Sequence, residues 1–188
     1  MYRYLFSFAL FCAATNAVAS VYENSINVTF PDKVATLTFS EKKEFPKKEL
    51  GVNIRYQSSG PVIGSIYIYN AGLGQIPTGV GSPIVHKHFA QVIDEVKQLA
   101  AMGQVKAVNM AVGGSTISSL KGCGPQFMWR AYELDMGDKV LSSYTYLTGL
   151  NNNFVKLRMS HLKTDVQGKR DVEQFVEGIR KVLGNCKD

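Results

Sequence analysis

Three histidines, His86, His88 and His161, have the widest chemical range of any residues in this chain. His86-Lys87-His88 has the look of a metal-binding pair. On a helix, however, residues two apart stand about 200° apart around the axis, so the two imidazoles cannot share an ion without distorting the turn. No cysteine or carboxylate cluster completes a ligand set. The pair is read as two border residues flanking an apolar helical stripe. His161 shares a strand face with Val155, Leu157 and Met159 and is read as a hydrogen-bonded, partly buried histidine. Nucleophilic chemistry would need a serine on a strained turn beside a histidine. Ser115, Ser118 and Ser119 fall in a loop that lacks the G-x-S-x-G spacing. Gly72-Leu73-Gly74 lacks the further glycine and the Lys-Ser/Thr step of a phosphate cradle. No catalytic set, metal site or cofactor is read from these residues.

The cysteines carry a different chemistry. Cys12 lies in an N-terminal stretch with a basic start at Arg3, an apolar run from Tyr4 to Ala14, and Ala17-Val18-Ala19 at its end. This order is that of a secretory signal peptide, residues 1–19, cut after Ala19, with an apolar run too short to span a bilayer. Residues 20–188 then form a single domain in an oxidising compartment, periplasmic or secreted. Cys123 and Cys186 remain and are expected to pair in a structural disulfide.

Loss of the leader removes Arg3 alone and lowers the formal net charge of +6 by one, to +5. Acids interrupt the basic residues, as in Glu41-Lys42-Lys43-Glu44-Phe45-Pro46-Lys47-Lys48, so no focused nucleic-acid surface is expected. No later apolar run is long enough for a transmembrane helix.

The elements that must position any site follow from periodicity. Ser65-Ile66-Tyr67-Ile68-Tyr69 reads as a central strand with both faces covered, isoleucines on one side and tyrosines on the other. Asn70 to Gly81 is an irregular Gly-rich loop. Ser82 and Pro83 start a long helix whose stripe comprises Val85, Phe89, Val92, Ile93, Val96, Leu99 and Ala100, with Gly103 as its stop. Tyr67, Tyr69, Asn70, Gly72 and Gly74 therefore form the candidate ligand groove or loop.

Around this unit, Ile26–Phe30 and Val34–Phe39 are expected to form a hairpin through Pro31-Asp32-Lys33. Ser40–Glu49 is expected as a charged loop, with strands at Val52–Gln57 and Gln104–Val112 and a loop over Ser115–Gly124. A hairpin of Gln126–Met136 with Lys139–Thr148 turns at Gly137-Asp138, and Asn151-Asn152-Asn153 leads into a last strand, Phe154–Leu162. A final helix starts near Asp171, with Gln174 in capping-box position, and stops at Gly184. Short turns between strands predict an α+β fold with a largely antiparallel sheet flanked by two main helices.

This order of elements resembles the Mog1/PsbP-like fold, an α/β/α sandwich. The resemblance covers roughly residues 23–184. It rests on Ser65-Ile66-Tyr67-Ile68-Tyr69 leading into a long helix, and on Phe154-Val155-Lys156-Leu157-Arg158-Met159 followed by the last one. Most members of that fold are binding or assembly factors, which implies a non-catalytic role here. The expectation is an exported binding or assembly protein whose partner is an unidentified protein or small molecule of the envelope. The alternative is a small secreted hydrolase that uses one of the histidines. It requires two of them to share a cleft with a serine or carboxylate.

The cysteine expectation is directly testable. Intact mass of the non-reduced mature protein should show no alkylatable thiol. Cys186→Ser should lower Tm by several degrees, since a long-loop disulfide contributes about 2–4 kcal/mol.

Overall fold

A computed structural model describes residues 20–110, 116–117 and 123–186. The expected leader, residues 1–19, lies outside the described residues, as do most of the serine-bearing segment and the end of the Gln104–Val112 strand. Two short strands, β1 (Val21–Glu23) and β2 (Val28–Phe30), pair with each other. There follow β3 (Lys33–Val34), β4 (Leu37–Glu44), a 3-10 turn at Lys48–Leu50, β5 (Val52–Gln57) and β6 (Ile63–Tyr69). Helix α1 (Pro83–Gln98) leads to β7 (Ala107–Asn109), β8 (Thr116–Ile117), β9 (Met128–Asp135), β10 (Val140–Leu150) and β11 (Asn153–Leu162). Helix α2 (Val166–Leu183) closes the chain. The main sheet runs β3-β4-β5-β6-β11-β10-β9-β7, with β8 also on β9, and every pairing is antiparallel.

Alternation along the central strands sorts the side chains to two helices. Ile66 of β6 and Leu157 and Met159 of β11 join Ile54 and Tyr56 beneath Val172, Phe175, Val176 and Ile179 of α2. On the other face, Tyr69 and Phe154 pack with Val85, Phe89 and Ile93 of α1, and Val96 packs with Tyr132 and Leu134. Each large apolar side chain so buried contributes roughly 1.5–3 kcal/mol, which is what fixes the two helices to the sheet. Ser82 caps α1 as its sequence indicates, accepting from the Ile84 amide at 3.2 Å. Cys123 and Cys186 are bonded, with Cα atoms 5.9 Å apart. Beside them, the fully buried Arg180 of α2 donates to the Pro125 carbonyl at 3.0 Å.

Four local expectations are corrected. The N-terminal strands do not form one hairpin through Pro31-Asp32-Lys33: β2 pairs with β1, and β3 turns at Ala35-Thr36 onto β4. Alternation marks a strand's faces but not its partner, and Asn27 and Ala35, with φ of 56° and 52°, make the turns instead. The charged stretch after Ser40 is strand as far as Glu44. Ion pairs Glu41–Arg55 (3.5 Å) and Lys42–Glu23 (2.9 Å) link these β4 side chains to neighbouring strands. Thr116 and Ile117, inside the expected loop, pair with β9.

Finally, α2 begins at Val166, five residues before Asp171. Asp165 is its cap and accepts from the Gly168 amide at 2.8 Å. Gly168 reads as a helix breaker, yet here it permits close approach: a Cβ would stand 2.8 Å from that of His161. Asp171 lies inside the helix and accepts from Gln167.

Glu23 is buried, and its carboxyl is nonetheless held below the usual carboxylate range. Burial acts most strongly and opposes ionisation, but hydrogen bonds from Ser25 and Lys42 and the Lys42 charge outweigh it. A depressed carboxylate contributes stability above its unfolded pKa and loses it as pH falls. Glu23→Gln should therefore destabilise the fold at pH 7 by about 1–3 kcal/mol. In urea titrations the gap between parent and variant should close as pH falls below 4.5.

Candidate functional site

The face of the sheet that meets α1 carries an unusual load of cations. On β11, Lys156 and Arg158 share that face with Phe154, because Val155, Leu157 and Met159 are committed to α2. Cross-strand register sets Arg158 opposite Ser65 on one side and Thr145 on the other. Beyond these stand Arg55 on β5 and Arg130 on β9. Three arginines thus lie in one row, each two strands from the next, or about 9.5 Å. Glu41 pairs with Arg55 at 3.5 Å, and Arg130 donates to the Met110 carbonyl at 3.2 Å. Among the described residues, neither Lys156 nor Arg158 has a carboxylate within ion-pair distance.

Lys156 is kept in place by aromatic faces. Its Nζ lies 4.7 Å from the centre of the Tyr67 ring and 5.2 Å from that of Tyr69. Burial and, after it, the Arg158 charge press its pKa down from 10.5 to about 8, against a weaker opposing pull from Glu95. The neighbouring His88 is pushed below the usual histidine range, first by burial and then by the Lys156 charge. Its Nε2 stands 2.8 Å from the Tyr69 hydroxyl, and its ring stacks on Phe154 at 3.9 Å. Burial holds the Tyr69 phenol protonated, so the O–H donates to a neutral imidazole.

Over Lys156 and Arg158, the C-terminal half of α1 roofs a half-open cleft of about 310 Å³. Helix spacing brings Val92, Val96 and Leu99 to one flank, and Met102 and Gln104 extend the wall past the helix end. Glu95 supplies the wall's one carboxylate. The volume falls at the small end of ligand pockets, roughly 300–1,000 Å³.

The residues singled out from sequence are placed as follows. Tyr67 and Tyr69 do stand on this face, in contact with Lys156. Asn70, Gly72 and Gly74 lie in the loop at the other end of α1. The Asn70 side chain there accepts from the Gly72 amide, and Gly79 pairs with Gly149. They do not line the cleft. His86 is exposed, while His88 and His161 lie on opposite faces of the sheet. His161 Nδ1 donates to the Leu162 carbonyl at 2.7 Å, and Nε2 lies 3.3 Å from the Tyr144 hydroxyl. No group of three His, Cys, Asp or Glu side chains close enough to hold a metal occurs among the described residues.

Alternation along Phe154–Leu162 puts Lys156 and Arg158 on the face opposite Val155, Leu157 and Met159, and polar residues at those positions of a strand ordinarily mark a solvent-facing side. The available signal was a lysine and an arginine in a strand whose neighbour, β6, has two bulky faces. Neither a protein-family model nor a curated protein matches this chain.

The depressed Lys156 makes a linkage prediction. A lysine with a lowered folded pKa destabilises the fold fully below that pKa, and the penalty is relieved as pH rises toward the unfolded value. Lys156→Met, which keeps the stem packing, should stabilise the protein at pH 7 by something of the order of 1–3 kcal/mol. The difference should shrink between pH 8 and 10.5, as followed by denaturant titration.

Proposed function

We propose that this chain is an exported, non-catalytic binding or assembly protein of Mog1/PsbP-like α/β/α architecture, with its ligand seat between α1 and the sheet. One observation carries the reading: Lys156 and Arg158 sit together in a cleft beside an apolar wall, neither within ion-pair distance of a carboxylate among the described residues, with Glu95 the only acid in the lining. Two partly desolvated cations facing a single wall carboxylate leave the cleft with an excess positive charge, which suits an incoming anion. Export is supported by the leader-like N-terminus and by the Cys123–Cys186 bond, which an oxidising compartment would maintain. No helix among the described residues is long and apolar enough to cross a membrane.

The hydrolase alternative needs two histidines in one cleft with a serine or carboxylate. It is the less favoured reading, because His88 packs on Phe154 under α1 while His161 lies on the α2 face, so these two do not share a cleft.

The test is a thermal-shift screen of the mature protein against neutral, cationic and anionic metabolites, run beside an esterase and peptidase panel and a pull-down from envelope extract. The expected result is stabilisation by at least one ligand or partner without turnover. Saturation at a hundred times Kd would give about 2.7 kcal/mol. Turnover with no binding partner would overturn the reading.

A further inference from the structure

Resting on that reading, we infer that the ligand of the α1 cleft is a small amphiphilic carboxylate: an acid head between Lys156 and Arg158, and an apolar body along α1.

The head follows from charge and geometry. Lys156 and Arg158 are two residues apart on β11, so their side chains rise from the same face about 6.5–7 Å apart at the backbone. Arg158 has five donors in a planar fork, and none has a hydrogen-bond or ion-pair partner among the described residues. A carboxylate matches that fork with two parallel bonds, while the ammonium of Lys156 approaches from the side of Tyr67. A cationic head would meet two positive charges and one carboxylate, Glu95, in the same cleft.

The body follows from the roof. Val92, Val96, Leu99 and Met102 present one continuous apolar flank, and the first two are buried while Met102 is 54% exposed. Methionine at the open end is unbranched and adapts to variable tails. An acid without an apolar body would leave the open end of this flank, half-buried Leu99 and exposed Met102, in water. A neutral body without the acid would leave two cations desolvated and unpaired. Only both parts together use the whole cleft. About 310 Å³ admits a short chain or single ring rather than a long lipid.

The experiment titrates sodium octanoate into the mature protein by calorimetry. Octan-1-ol and octylamine serve as head-group controls and acetate as the tail control. Octanoate should bind and the three controls should bind at least tenfold more weakly. Arg158→Gln and Lys156→Met should each weaken octanoate about tenfold or more, the loss of one charge-assisted contact. Met102→Gln, at an exposed position with no fold to lose, should weaken it several-fold, and Glu95→Gln should tighten it. Circular dichroism melting confirms that each variant is folded, and Arg158→Lys stands in if Arg158→Gln is not.

Equal binding of octanol or octylamine, or an unchanged affinity in folded Arg158 and Lys156 variants, overturns the carboxylate assignment while the binding reading stands. Absence of octanoate binding overturns it as well. The wider reading falls separately, if the full screen of neutral, cationic and anionic compounds and the pull-down yield nothing while the esterase and peptidase panel shows turnover.

Discussion

The structure depends on the antiparallel pairing of β11 with β6. Seven residue pairs, from Phe154–Tyr69 to Ser160–Ile63, lock these strands at the middle of the sheet. Because a helix packs on each side, neither face of this pair is simply solvent-facing. Every side chain of β11 is therefore assigned to one helix or the other by its parity alone. A slip of one residue would drive Lys156 and Arg158 beneath α2 and expose Val155 and Leu157 to the cleft. The same register that builds the core thus builds the cationic site.

That coupling carries a cost which the fold sustains. Lys156 is held partly desolvated, next to a second positive charge, and the tyrosine faces offset only part of this. The α2 side shows the opposite economy. There, buried polar groups are matched: Arg180 by the Pro125 carbonyl and Glu177, and His161 by Leu162 and Tyr144. Stability is concentrated under α2 and at the disulfide, and the less satisfied chemistry lies under α1, where a ligand would have most to offer.

Much of the secondary structure was legible along the chain. Ser82-Pro83 and the stripe from Val85 to Val96 specify α1 locally, because capping and 3.6-residue periodicity are properties of neighbouring residues. The β9–β10 turn at Gly137 and the β10–β11 turn at Asn151-Asn152 adopt the positive φ that those residue types favour. The failures have a common origin. Partner choice for β2 and β3 and the strand character of Glu41 to Glu44 depend on groups distant in sequence, as where Glu23 must meet Lys42. The early start of α2 has a local cap, Asp165, but Gly168 in its first turn reads as a breaker until its contact with the β11 residue His161 is seen.

What the sequence by itself determined is the α+β class, the antiparallel sheet, the two amphipathic helices and the two cysteines that bond. Those follow from short-range rules of spacing, turn chemistry and composition. Only the tertiary structure decided which cations matter. Lys156 and Arg158 are ordinary outward residues of a half-polar strand until α1 is laid over them. Their chemistry comes from desolvation and from having, among the described residues, no carboxylate within ion-pair distance. Both are properties of what surrounds a side chain, and no local pattern encodes them.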